Sequence, residues 1–150
     1  MKELSGAAGA DVAAAPEQAY AVLADVERYR EWYPDVIRRV TVLEREDGGA
    51  ASLADVTLSA PGLPIGDLHT RLRVDRRPPR GVGLIRVPYE PDDHEQLSVV
   101  WAIEPSAGGS RLGLRIDAVL PVPRLVPLGG VGDRMAAGFV RAAVRAFSPG

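Results

Sequence analysis

Between residues 37 and 120 the chain holds six short runs of strand-like sequence, each closed by turn chemistry, with no helical stripe between them. Residues 37–46 run into Asp47-Gly48-Gly49, a hairpin signal. Residues 52–60 end at Pro61-Gly62, residues 67–75 before Pro78-Pro79, and residues 82–89 at Pro91-Asp92-Asp93. Residues 97–104 stop at Pro105 and Gly108-Gly109, and residues 111–120 follow. Parallel pairing needs a crossover of a dozen or more residues, so strands joined this closely predict an antiparallel sheet. What flanks them is helical. Residues 8–14 read as a first strand, Pro16 sits at the first helical position with Glu17 in the first turn, and Ala19, Val22, Leu23 and Val26 form a stripe. Asp25 is placed to cap a second short helix over 27–32, which Pro34 ends. After a proline- and glycine-rich but apolar stretch, residues 121–132, Asp133 opens a long helix. Met135, Phe139, Ala142 and Ala146 share one of its faces, and Arg134, Arg141 and Arg145 share another.

One amphipathic helix has one stripe to bury, and a curved antiparallel sheet has one apolar face to offer. The expected architecture is α+β, a single domain over residues 1–150, with the last helix across the sheet. Strand alternation names the inward residues. Leu68, Thr70, Leu72 and Val74 share a face; so do Val56 and Leu58, Val99, Trp101 and Ile103, and Leu112, Leu114, Ile116, Ala118 and Leu120. The inner face is therefore almost wholly apolar.

Charge and residue usage exclude several classes of function. A net charge of -2 supplies no basic field for nucleic acid. The absence of cysteine removes disulfides, thiolate nucleophiles and Cys-based metal sites. Two histidines, His69 and His94, make a His-rich metal site a poor fit, and no cofactor is expected. Residues 6–15 look like a weak secretion signal interrupted by Asp11, and no apolar run reaches the ~18 residues of a bilayer span. The expected location is cytoplasmic.

The run from Ala15 to Val36, with Ala15-Pro16-Glu17-Gln18-Ala19-Tyr20 at its head and Glu31-Trp32-Tyr33-Pro34-Asp35-Val36 at its end, resembles the opening of the START/Bet v 1-like superfamily, and within it the polyketide cyclase/dehydrase and lipid-transport family. The order of elements is similar over nearly the whole chain. The resemblance implies a helix-grip fold in which about seven antiparallel strands grip the last helix around a cavity. It also implies a lipid, sterol, quinone or polyketide ligand, or aromatase/cyclase activity. Aromatase/cyclase members carry Trp-x-Ser-Arg-Arg on a central strand, with the second arginine in the cavity. The matching run here is Leu68-His69-Thr70-Arg71-Leu72. Leu72 stands where the inward arginine belongs and Leu68 where the tryptophan belongs.

No standard catalytic constellation appears. Gly108-Gly109-Ser110-Arg111-Leu112 lacks the final glycine of a nucleophile elbow. Tyr33 and Arg86 are the catalytic candidates, without evident partners. Trp32 and Tyr33 read either as a packed hinge or as part of a pocket mouth. Arg86 is the cavity's cation if Leu84 faces inward, and is solvated if Ile85, Val87 and Tyr89 do; the second pattern is preferred. Arg71, Arg73, Arg76, Arg77 and Arg80 read as a solvated face or as a site for an acidic partner. The expected function is binding or transport of a hydrophobic small molecule in a ligand-sized cavity. Its expected lining is Val56, Leu58, Leu72, Val99, Trp101, Leu114, Met135 and Phe139, with ligand binding altering Trp101 fluorescence. The alternatives are a cyclase or dehydrase acting on a polyketide-like substrate, and an interaction module with a collapsed cavity. No nucleic-acid partner and no metal are expected. A monomer or a homodimer, with transient contact to a membrane or donor, fits equally.

Overall fold

All the turn signals between residues 46 and 110 except Pro105, which lies within a strand, separate two strands in the structure, a computed structural model that describes residues 1–60 and 62–147. β1 (Lys2–Val12) leads into α1 (Pro16–Leu23), a 3-10 turn (Val26–Arg28) and α2 (Tyr29–Trp32). Then come β2 (Ile37–Arg45), β3 (Ala51–Leu58), β4 (Leu68–Arg77), β5 (Gly81–Arg86), β6 (Gln96–Ser106), β7 (Gly109–Leu120) and the closing helix α3 (Val131–Phe147). The seven strands form one curved sheet in the order β1-β7-β6-β5-β4-β3-β2, antiparallel throughout. α3 lies across its apolar face.

The helices begin where the local chemistry allows. Pro16 opens α1, and the Gln18 side chain accepts the Ala15 N–H at 3.0 Å. Asp25 precedes the 3-10 turn, but its side chain makes no cap; its backbone carbonyl accepts from Arg28 instead. β1 starts six residues earlier than the apolar pattern suggests. It is held along its whole length by backbone pairing with β7, from Lys2 opposite Leu120 to Val12 opposite Ser110, so small residues suffice in its first half. β5 ends earlier than expected, at Arg86.

α3 meets β1 backbone to backbone. A Cβ on Gly132 would lie 2.0 Å from the Ser5 carbonyl oxygen, and one on Gly6 would lie 2.0 Å from the Gly132 carbonyl carbon. The Asp133 carboxylate accepts the Ala7 N–H at 3.0 Å, which ties the first turn of α3 to the same edge strand. Behind this contact the buried side chains fall into two clusters. The larger holds Trp101, Ile103, Leu112 and Leu114 of the sheet with Leu23, Tyr29, Phe139 and Val140 of the helices. The smaller brings together the two apolar loops. Ala60 and Leu63 come from the β3–β4 connection, Val122 from the segment before α3, with Val131 and Leu120 beside them. Pro61 of the first loop lies outside the described residues. Leu125, at the tip of the second, is 97% exposed.

Candidate functional site

The inward rows of β3 to β7 converge under α3 on an apolar cavity. Val56 and Leu58 of β3, Leu72 of β4, Val99 of β6, and Met135 and Phe139 of α3 line it, together with Leu68, Leu84, Leu97 and Ile116. Six of the eight residues expected to bind ligand are thus brought to one place. Trp101 and Leu114 are not among the lining residues. They pair with each other across β6 and β7, buried in the larger core cluster, with Trp101 beside the Tyr29 hydroxyl. The cavity itself holds about 50 Å³, room for a water or two and well below the ~300 Å³ of a small-molecule site. The closed interior is thus smaller than the ligand-sized cavity expected.

Polar groups on this face are few. Thr70, opposite Val56 on the neighbouring strand, is buried and its hydroxyl has no partner. Tyr29 lines the cavity, and its hydroxyl donates to the Leu23 carbonyl at 2.5 Å. Burial pushes its pKa up, an effect the nearby Trp101 indole only partly offsets. Among the described lining residues none carries a charge.

Outside the cavity, on the other side of Met135 and Phe139, lies an open groove of about 530 Å³. Val36, Ser59, Met135 and Phe139 line both spaces, so one layer of side chains divides them. The groove's sides are polar: Tyr33 and Asp35, which follow α2, lie on one, and Arg134, Arg141 and Arg145 of α3 on the other. The Tyr33 ring packs edge-on against Phe139 with centroids 4.8 Å apart, and Trp32 stacks parallel to Tyr33 at 6.4 Å. Gly138 makes room for this arrangement, since a Cβ there would lie 2.6 Å from the Tyr33 hydroxyl. Burial raises the Tyr33 pKa, and Arg141 and then Arg145 oppose it. Of the two readings of Trp32 and Tyr33, the mouth describes Tyr33 at least: it is a wall of the groove.

Arg86 follows neither pattern set out for it. Leu84 is buried, so the preferred alternation, with Ile85, Val87 and Tyr89 inward, is overturned. The register sets Arg86 opposite Leu72. Yet its guanidinium is not in the cavity lining. It is taken up at the end of the sheet by Asp93 at 2.6 Å, by the Glu95 carbonyl at 2.8 Å and by the Glu95 carboxylate at 3.7 Å, with Tyr89 over it. The Arg86 hydrogen bond holds the Asp93 carboxyl down to about 2, helped by the N–H groups of Tyr89 and Glu95 and opposed by burial. A depressed carboxylate stabilises the fold above its unfolded pKa and loses that contribution as pH falls through the folded one. Stability is therefore expected to drop between about pH 4 and pH 2, and Asp93→Asn to be less stable at neutral pH and flatter across that window. Urea midpoints measured over the acid range check both; equal slopes for the two proteins would show that Asp93 plays no part.

The remaining basic stretch is mostly engaged within the chain. Arg71 pairs with Asp55 at 2.9 Å and Arg73 with Asp75 at 3.2 Å. Arg76 donates to Glu46 and to the carbonyls of Ala51 and Ala24. By contrast, no ion pair forms on Arg134, Arg141 or Arg145 among the described residues. That these three share a helix face is visible in their spacing; that the face borders a groove is not, because the groove needs Tyr33 and Ser59 from other elements. No group of metal-ligating side chains occurs among the described residues, and none of the described helices is long and apolar enough to cross a membrane.

Comparison with known proteins adds the family. The family described as polyketide cyclase / dehydrase and lipid transport matches residues 12–144. A START superfamily protein from Mycobacterium smegmatis superposes with a TM-score of 0.74 at 18% identity, over 97% of this chain and 96% of that one. An aromatase/cyclase from a Streptomyces species superposes at 0.68 and 19% identity, over 97% and 92%. A major latex-like protein from Panax ginseng does so at 0.72 and 10%, over 98% and 99%. Identities this low establish a shared fold and nothing finer. No curated protein matches the chain in sequence.

Proposed function

Because the chain belongs to the polyketide cyclase/dehydrase and lipid-transport family, we propose that it binds a hydrophobic small molecule between α3 and the sheet. The observation that carries this reading is the uncharged, almost wholly apolar wall beneath Met135 and Phe139, which suits a ligand held by burial rather than by reaction. The alternative, a cyclase or dehydrase, rests on the similarity to the aromatase/cyclase fold. It requires an acid or base at the substrate. Arg86 is committed to Asp93. Tyr33 faces the outer groove, and Leu72 holds the place of the inward arginine.

A ligand larger than the closed cavity needs Met135 and Phe139 to move, joining the interior to the groove. The loops around Leu63 and Val122 lie at one end of this path, and their parting serves the same opening. The neutral fluorescent probe N-phenyl-naphthylamine is expected to bind the purified protein. Phe139→Ala, which removes the ring of one of the four side chains in the dividing layer, is expected to admit it faster and to bind it at least as tightly. A second reading, an interaction module with a permanently closed interior, is favoured by the 50 Å³ volume. Absence of probe binding to both the wild type and Phe139→Ala would establish it and end the first.

A further inference from the structure

We propose that the groove is a head-group site for a free amphipathic carboxylate: Arg141 and Arg145 hold the carboxylate, Arg134 flanks it, and the tail passes Phe139 into the interior. The proposal rests on the hydrophobic-ligand reading above and gives that ligand a charge and an orientation.

Four observations support it. The first is charge. Three arginines border the groove without an ion pair among the described residues, against one carboxylate, Asp35. Other arginines, such as Arg38, Arg39 and Arg124, also lack an ion pair among the described residues; what sets Arg134, Arg141 and Arg145 apart is that all three line one groove. The second is spacing. Arg134, Gly138, Arg141 and Arg145 follow one another at four, three and four residues, so they form one stripe along α3. Gly138 interrupts the stripe with a gap, which Tyr33 enters from the opposite wall. The Tyr33 hydroxyl is thereby brought within the field of Arg141 and Arg145. Two guanidinium groups and a hydroxyl donor are the set that recognises a carboxylate.

The third observation is volume. About 530 Å³ lies within the range of a small-molecule site, whereas the interior alone does not. The fourth is continuity. The side chains that close the interior also floor the groove, so a molecule anchored at the arginines has its tail directed at the dividing layer. A purely hydrophobic ligand would leave the charged wall unused. A bilayer surface is the poorer occupant, because the arginines line a concavity rather than a protruding face.

The test compares dodecanoate with dodecanol, which share a tail and differ in the head, by calorimetry at low salt on the wild type and on Arg141→Gln/Arg145→Gln. Neither arginine packs in the core, so the variant is expected to fold; its unfolding midpoint confirms that first. The expected result is a preference of about tenfold or more for dodecanoate in the wild type, the scale of a charge-assisted hydrogen bond. The preference shrinks with added salt. In the variant it disappears while dodecanol affinity stays the same. Equal wild-type affinity for acid and alcohol overturns the head-group site and leaves the hydrophobic reading standing. A preference that survives in the variant overturns the assignment to these arginines. Binding of neither compound overturns both readings. Arginine-dependent binding to phosphatidylglycerol vesicles without any preference for free dodecanoate assigns the row to a membrane surface and overturns the proposal.

Discussion

Gly132→Ala is expected to destabilise the protein by more than about 3 kcal/mol, beyond the usual range for overpacking. The added methyl would sit 2.0 Å from the Ser5 carbonyl oxygen and 2.4 Å from the Ser5 carbonyl carbon. Overpacking is tolerable when a flexible side chain can turn aside. Here both obstacles are backbone, and Ser5 is fixed in the ladder between β1 and β7. The only relief is to lift α3 from the edge strand, which also separates Asp133 from Ala7. The opposing residue, Gly6, is under the same restriction from its own side. Gly129→Ala is the control, because a Cβ there meets nothing within 4 Å. Urea unfolding should show Gly129→Ala within about 0.5 kcal/mol of the wild type. If Gly132→Ala also unfolds within about 1 kcal/mol of it, the contact does not constrain the fold as described. Met135 and Phe139 hang from the same helix, so the docking of α3 sets both the dividing layer and the wall of arginines.

The parts of this architecture that were legible in the sequence are those that depend on periodicity. Alternation in β4, β6 and β7 put Leu72, Val99 and Ile116 on the buried face, and the turn residues between strands excluded a parallel sheet. Alternation says which way a side chain points, not how far two opposing rows interpenetrate, so it could not distinguish a 50 Å³ cavity from a ligand-sized one. Nor does it say where along a strand a row stops lining a cavity. Val99 and Trp101 share a face two residues apart, a separation of about 7 Å, and only Val99 reaches the cavity. Arg86 was misread because Ile85, Val87 and Tyr89 make an apolar row of their own. The competing fact, an acidic turn placed to receive the guanidinium, lies outside the strand. The start of β1 was missed because Gly6 and Ala7 carry no pattern; the strand is specified by its partner.

Trp101→Ala is expected to cost about 3–5 kcal/mol, as for other buried aromatic side chains cut back to alanine, and to leave the binding surface nearly intact wherever the protein stays folded. The indole is 0% exposed and stands opposite Leu114 and Val82 in the larger core cluster. Its removal opens a void in the larger core cluster, beside the Tyr29 hydroxyl. Trp101→Phe is therefore the informative variant, because it keeps most of the volume. Its affinity for N-phenyl-naphthylamine should match the wild type within a factor of about two, since binding follows the surface a ligand contacts. Tryptophan emission should still respond to ligand in Trp101→Phe, because the remaining indole, Trp32, stacks on Tyr33 at the wall of the groove. Trp32→Phe should lose most of that response. If instead Trp101→Phe abolishes the spectral change and weakens probe binding, the ligand extends along β6 beyond Val99, and Trp101 belongs to the site after all.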